Sequence, residues 1–139
     1  MIVINIKSLL NVNLYKSLKF YPKMHVAIYK RVRLKVSSSA VCKGIGMLKL
    51  GKTWNNFAFS DSQFFMGVKS SFIVKKDFSI MSGFNISINN GASLSLGSGY
   101  INYGCNIACF DHISIGDEVA IGESVTIRDS DNHWIEVNI

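Results

Sequence analysis

Apolar side chains recur every six residues along the last third of the chain. There are two such series, and each member of the second follows a member of the first by two positions. All ten members are apolar or aromatic. The first series is Ile101, Ile107, Ile113, Val119 and Val125, and the second is Tyr103, Cys109, Ile115, Ile121 and Ile127. Residues six apart in an α-helix point about 240° apart, so they share no helical face. The pattern instead predicts short strands with two inward side chains each, separated by corners.

Glycine marks several of the predicted corners. Gly104, Gly116 and Gly122 each directly follow a member of the second series, and glycine tolerates the positive φ that a tight turn can require. Strand-and-corner units repeated in this way stack into a coiled solenoid with parallel sheets. The pattern continues toward the N-terminus, with one slip of register at residues 97–99. Its earlier members are Phe78, Ile80, Phe84, Ile86, Ile88, Ala92 and Leu94.

Upstream of this repeat the pattern is less regular. Residues 47–50 and 72–74 have the composition of short strands, whereas the aromatic-rich residues 54–65 predict a wide loop. A short helix could form within residues 13–33, on one side of Pro22, because proline cannot continue a helix.

We predict two parts within this chain of 139 residues. A basic segment, partly helical, covers residues 1–35, and an all-β solenoid domain covers residues 36–139. The coils of that domain are expected to be irregular up to about residue 95 and regular over residues 96–133. Apolar residues make up 48% of the chain and it has one proline, which favours a packed core over disorder.

The chain shows no apolar run near the roughly 20 residues of a membrane-spanning helix, and its first ten residues lack the features of a secretory signal. Its three cysteines are therefore expected to be reduced, in a cytoplasmic protein. Cys105 and Cys109 lie four residues apart, which is an uncommon spacing for a metal site, so we predict that they are buried in the core.

Positive charge is concentrated in the first half of the chain. The net charge is +6, and eleven Lys or Arg residues precede Asp61, the first acidic residue. Such a segment could meet an anionic membrane surface, a phosphate-bearing substrate or only solvent. No nucleic-acid motif accompanies the charge, so we expect no nucleic-acid partner.

The repeat resembles that of a known family. Residues 96–104 and 113–122 resemble coils of the hexapeptide-repeat acyltransferases, and residues 125–133, which end in Asp-Ser-Asp-Asn-His, resemble their active-site coil. The resemblance covers roughly residues 35–133. It is closest to the maltose and galactoside O-acetyltransferases, including those of capsule and lipopolysaccharide. It implies a left-handed parallel β-helix, usually a homotrimer, that transfers an acetyl group from acetyl-CoA to a sugar hydroxyl in polysaccharide synthesis.

The same resemblance implies roles for individual residues. His133 matches the family's catalytic base, which takes a proton from the sugar hydroxyl as that oxygen attacks the thioester. Asp131 or Asp129 could orient the imidazole ring. Asn102 matches an asparagine that faces the acceptor sugar, and Asp111 is a second candidate for acceptor binding. Residues that bind acetyl-CoA are not identified.

Other readings remain open for each of these residues. His133 could be a surface histidine, the aspartates ordinary turn residues, and Asn102 an outward polar side chain between two core positions. Some β-helices of this kind are zinc enzymes with three histidine ligands. The chain has three histidines, His25, His112 and His133, but no two are closely spaced, so we predict no metal.

The family members continue into further coils after the histidine, and those coils supply much of the coenzyme A groove. Residues 134–139 do not match them, so the chain is expected to be a truncated member whose activity is uncertain. The alternative function is therefore a non-catalytic solenoid that binds sugar or assembles with other chains. The expected location is the cytoplasm, at the inner face of the membrane if the basic segment binds anionic lipid.

Overall fold

The computed structural model describes residues 11–20, 22–55 and 58–131. This part of the chain contains one short helix, α1 (Leu14–Leu18), followed by short strands throughout. The strands are β1 (His25–Ile28), β2 (Val32–Val36), β3 (Val41–Gly44), β4 (Met47–Lys52), β5 (Ser62–Met66), β6 (Ser71–Val74), β7 (Phe78–Met81), β8 (Asn85–Ile88), β9 (Ser93–Leu96), β10 (Gly99–Ile101), β11 (Asn106–Cys109), β12 (His112–Ile115), β13 (Val119–Ile121) and β14 (Thr126–Arg128).

Every third strand returns to the same sheet. The first face consists of β1, β4, β7, β10 and β13, the second of β2, β5, β8, β11 and β14, and the third of β3, β6, β9 and β12. Neighbouring strands are parallel in all three sheets. Three strands therefore make one coil, and four complete coils are followed by β13 and β14 of a fifth. The predicted all-β parallel solenoid is confirmed, while its left-handed winding stays a prediction.

The space between the three sheets is filled by apolar side chains. All seven of the earlier repeat members, from Phe78 to Leu94, are buried, as the six-residue pattern predicted. Four phenylalanines, Phe64, Phe72, Phe78 and Phe84, are among the largest fully buried side chains. Cys105 and Cys109 are buried as well, which confirms their assignment to the core. Burial also raises the pKa of the half-buried Cys42 thiol to about 11.

The length of a coil differs from the eighteen residues that three hexapeptides would occupy. Ile101 pairs with Ile121, twenty positions later, and with Ile80, twenty-one positions earlier. A member of the first series thus stacks on a member of the second. Tyr103, which the pattern places in the core, is only half-buried. Tyr103 lies at a corner because of these extra residues, and Cys105 is buried in the core in its place.

The first coil starts earlier than residue 36, because β1 begins at His25 and β2 ends at Val36. Residues 11–20 cover the free edges of these two strands. The Asn13 amide donates to the Ile28 carbonyl at 2.6 Å, the Ser17 hydroxyl accepts from the Ile28 amide at 2.9 Å, and the Lys16 ammonium donates to the Val32 carbonyl at 2.6 Å. These bonds satisfy edge groups that would otherwise pair with another strand.

Residues 53–61 form an irregular connection between β4 and β5, of which 56–57 are outside the described residues. This agrees with the loop expected at residues 54–65, except that β5 already begins at Ser62. Elsewhere the corners are short. Among the described residues, no helix is long and apolar enough to cross a membrane.

Candidate functional site

The predicted site residues fall at two different corners of the solenoid. Asn102 follows β10 at the corner between the first and second faces, whereas Asp111 lies between β11 and β12 at the corner of the second and third faces. Asp131 follows β14 on the side of Asp111. The two corners are at opposite ends of β11, so roughly 10 Å of strand separates them. His133 lies outside the described residues, and its catalytic role stays a prediction.

The Asn102 side chain is held by two donors. Its Oδ1 accepts from the Tyr103 amide at 2.9 Å and from the Trp54 indole Nε1 at 3.2 Å. Both partners are donors only, which assigns the oxygen and the nitrogen of the amide. The Nδ2 group has no hydrogen-bond partner among the described residues, so it remains a donor for a ligand.

Aromatic side chains surround Asn102. The Trp54 ring meets the Tyr100 ring edge-on at 5.3 Å between centroids, and the Trp54 backbone amide donates to the Tyr103 hydroxyl at 2.8 Å. The Lys52 ammonium lies 6.0 Å from the centre of the Trp54 ring. We call these five residues, Lys52, Trp54, Tyr100, Asn102 and Tyr103, the aromatic corner. Trp54 is 52% exposed, so the corner presents a ring to solvent.

The charge at the aromatic corner depends on Lys52. Partial burial lowers the pKa of its ammonium, and the nearby Lys49 lowers it further. A partly desolvated cation beside an exposed indole ring favours polar or anionic ligands that can replace its lost hydration.

The connection that carries Trp54 is anchored at its far end. The Arg31 guanidinium donates to the Phe59 carbonyl at 2.8 Å and to the Asp61 carboxylate at 3.0 Å. The Ser60 amide donates to the Ser82 hydroxyl at 2.8 Å. These contacts anchor the connection to the first and third coils, and Trp54, at its other end, contacts the fourth coil.

A polar cavity of about 400 Å³ adjoins the aromatic corner. The cavity lies between the connection of β4 to β5 and the corners of the third, fourth and fifth coils that are stacked beside it. Its polar lining among the described residues consists of Asn55, Ser60, Ser82, Tyr103, Glu123 and Ser124. Hydroxyl, amide and carboxylate groups in one small cavity suit a ligand with many hydroxyls.

The second corner is built around Asp129, and we call Asp111, Asp129 and Asp131 the acidic corner. The Asp129 carboxylate accepts from the amide of Phe110 at 2.7 Å and from those of Asp111 and His112 at 2.8 Å. Slight desolvation raises the pKa of this carboxyl, but the three amides outweigh it and hold the pKa below its ordinary value. Asp129 therefore ties the fifth coil to the fourth, and its oxygens are already engaged.

Replacing Asp129 by alanine is expected to destabilise the protein by about 1–2 kcal/mol at neutral pH, because three amides lose a charged acceptor while solvent access limits the cost. The contribution is present above the ordinary carboxyl pKa of 3.8 and is lost as the pH falls through the lowered value in the folded protein. Urea unfolding of wild type and variant at several pH values measures the difference, which should shrink below about pH 4.

Asp117→Ala is the matched control, since that carboxylate forms a 2.8 Å surface ion pair with Lys76 and should matter little. Equal losses in the two variants at neutral pH would contradict the capping role of Asp129.

The other two aspartates of the acidic corner are exposed. The backbone carbonyl of Asp111 accepts from the Ser93 amide at 2.9 Å, which places the residue in a regular corner. Asp129, one of the two aspartates that could orient the imidazole of His133, is occupied by three backbone amides, and the role expected of Asp131 stays a prediction.

His112 lies next to the acidic corner, on the third face. Its Nδ1 is 2.7 Å from the Ser93 hydroxyl, on the neighbouring strand β9. Among the described residues, no group of three or more His, Cys, Asp or Glu side chains could hold a metal ion.

Sequence reasoning identified Asn102 but missed Trp54, Tyr100 and Lys52 as its neighbours. The available signal was the aromatic-rich connection itself, because a long insertion in an otherwise regular repeat often carries function. Comparisons of the chain with protein-family models, with curated proteins and with solved structures found no match.

Proposed function

We propose that this chain is an O-acetyltransferase that moves an acetyl group from acetyl-CoA to a sugar hydroxyl, as in the synthesis of surface polysaccharides. The observation that carries the proposal is the aromatic corner, where Asn102 is held by Trp54 and Tyr103 with its Nδ2 left as a donor. The repeat and the residues leading to His133 support the same reading through their resemblance to that enzyme family.

The aromatic corner suits a sugar because of the way a pyranose ring distributes its groups. Its faces present C–H bonds, which pack on exposed rings such as Trp54, and its rim presents hydroxyls. The Asn102 Nδ2 would donate to one hydroxyl, and the adjoining cavity offers Glu123 and Ser124 to others. A buried hydrogen bond to a ligand hydroxyl is also a source of specificity, because an analogue without it leaves a protein group unpaired.

The chemistry proposed for His133 is general base catalysis. The neutral imidazole takes the proton of the acceptor hydroxyl, and the oxygen attacks the thioester carbonyl carbon. The C–S bond then breaks, the sugar ester forms, and the coenzyme A thiolate receives the proton from the imidazolium. Asp131 would hold the ring in the correct orientation by accepting its other N–H.

Within one chain, Asn102 at the aromatic corner and Asp131 at the acidic corner are separated, since the two corners are at opposite ends of β11. A closed threefold assembly would remove the conflict, because one corner of a copy then faces a different corner of its neighbour. We therefore propose a homotrimer whose sites each combine Asn102 of one copy with His133 of the next.

A second function is favoured by the same geometry. The aromatic corner lies far from the acidic corner within one chain, so it could bind a sugar without any catalysis. In that case the protein is a sugar-binding solenoid, and the engaged carboxylate of Asp129 has only a structural role.

Asn102→Ala and Trp54→Ala are expected to lower kcat/KM for the acceptor sugar by about 10- to 100-fold, since each removes one bond or contact to the acceptor. The KM for acetyl-CoA should not change. Release of coenzyme A thiol in the presence of candidate sugars measures the rate, and Asn85→Ala, an exposed asparagine on the second face, is the control.

Undiminished transfer by Asn102→Ala would overturn the proposed acceptor site. Sugar binding that falls in Asn102→Ala, with no transfer by wild type at any acetyl-CoA concentration, would instead establish the sugar-binding function.

A further inference from the structure

The N-terminal end of the solenoid exposes large apolar side chains. On α1, Leu14, Tyr15 and Leu18 are more than half exposed, and Ile45, in the corner after β3, is 92% exposed. Because Leu14 and Leu18 are one helical turn apart, they lie on one side of the helix. Scattered exposed apolar residues need no explanation, but several at one end of a molecule mark an interaction surface.

Two open hollows at this end combine an apolar floor with a rim of lysines. One, of about 540 Å³, lies between the end of α1 and strands β2 and β3, and contains Lys19, Lys23 and Lys35 around Phe20 and Val41.

The other hollow is lined by Lys23, Lys43 and Lys75 together with Ile45 and Ile73. Since Lys23 lines both hollows, they form one continuous surface. We call this the basic end.

The charge of the basic end is of one sign. No Asp or Glu is among the described residues that line either hollow, and the sequence has no acidic residue before Asp61. Five lysines that face the same surface without a carboxylate create a positive potential that only an anionic partner can neutralise.

Leu14 and Leu18 line a neighbouring hollow that shares His25 with the second one. We propose that the basic end docks on an anionic phospholipid bilayer, with its lysines at the headgroups and Ile45, Leu14 and Leu18 in the interfacial layer. Lipid explains both properties of the surface, because headgroup phosphates pair with lysine while aliphatic side chains enter the acyl boundary. A nucleic acid would neutralise the lysines, but it offers nothing to exposed leucine and isoleucine side chains. The docking needs no enzyme activity, so it stands apart from the proposed acetyl transfer.

Sedimentation of the full chain with vesicles tests the proposal. Vesicles of phosphatidylcholine with about one quarter phosphatidylserine should bind the chain, and pure phosphatidylcholine should not. Binding should weaken as salt is raised, because the lysine contribution is screened. The double variant Lys23→Gln, Lys43→Gln should bind roughly 25-fold more weakly, at about fivefold per lysine.

Two matched controls separate the basic end from general charge and hydrophobicity. Lys69→Gln, Arg128→Gln removes the same charge from positions outside the basic end and should change binding less than about threefold. Ile45→Ser should weaken binding about tenfold even at high salt, whereas Val68→Ser, at a residue 51% exposed on another corner, should have no effect.

Equal binding to neutral and anionic vesicles, or equal losses in the Lys23, Lys43 variant and its control, would overturn the proposal. So would a double-stranded nucleic acid that binds more tightly than the anionic vesicles and competes them off.

Discussion

Replacing His133 by alanine is expected to lower the rate of acetyl transfer by about 100- to 10,000-fold, while the KM values for sugar and acetyl-CoA change little. A sugar hydroxyl is a weak nucleophile near neutral pH, so the loss of the group that accepts its proton raises the barrier of the chemical step. Substrate binding rests on other residues and should persist. Steady-state rates of coenzyme A release, with each substrate varied in turn, measure the effect.

His112→Gln is the matched control for this variant. His112 lies next to the acidic corner, and its Nδ1 is hydrogen-bonded to the Ser93 hydroxyl on the third face. Its replacement should leave the rate within about twofold of wild type, because no step of the proposed reaction uses it. Loss of activity in His112→Gln, with full activity in His133→Ala, would show that His112 is the base, and this would contradict the proposal.

Mixing the two impaired variants, Asn102→Ala and His133→Ala, extends the test to the shared site. If each site combines Asn102 of one copy with His133 of another, mixed trimers of Asn102→Ala and His133→Ala contain some sites with both native residues. Random assembly of equal amounts should restore about a quarter of the wild-type rate. A mixture that stays as inactive as its components after unfolding and refolding together would show that the two residues act within one chain.

Gly99→Ala is expected to destabilise the protein by about 3–5 kcal/mol, which lowers Tm by about 10–20 °C. Gly99 begins β10 with φ +134°, in a region that other residues rarely adopt. A Cβ atom there would overlap the carbonyl oxygen of Val119, on the neighbouring strand β13. Because the obstacle is backbone in a paired strand, it cannot rotate away, and the fourth and fifth coils would have to separate.

Gly91→Ala provides the comparison. Gly91 also has a positive φ, of +72°, but no atom lies within 4 Å of the position that a Cβ would occupy. Its replacement should cost only about 1 kcal/mol, the price of the backbone conformation alone. Thermal unfolding of both variants by circular dichroism separates the clash from the strain. Equal Tm values for the two variants would show that the close approach of Val119 carries no energetic weight.

The class of the fold and most of the core could be predicted from the amino-acid sequence. A six-residue repeat of apolar positions reflects which side chains point inward from each short strand, and this is a local property of the chain. Residues such as Ile86 and Leu94 were therefore predicted as buried from their spacing alone, and they are. The same local pattern predicted Cys109 as a core residue, whereas the burial of Cys105 was predicted only from the chemistry of free cysteine.

The stacking of the coils could not be predicted in the same way. The repeat does not state how many residues each corner contains, and two extra residues shift the pairing so that Ile101 meets Ile121 rather than Val119. The same shift moves Tyr103 out of the core and toward Trp54. Errors of this kind accumulate along a solenoid, because every coil takes its register from the one before it.

The neighbours of the candidate site residues were also beyond the sequence. Trp54 contacts Asn102 across 48 positions because a loop inserted in the second coil reaches the fourth, and Asp129 binds amides that lie 17–19 positions earlier. Such contacts depend on the summed path of strands and corners between the partners. A local pattern of polar and apolar residues records the direction of each side chain, but not the place to which the backbone has carried it.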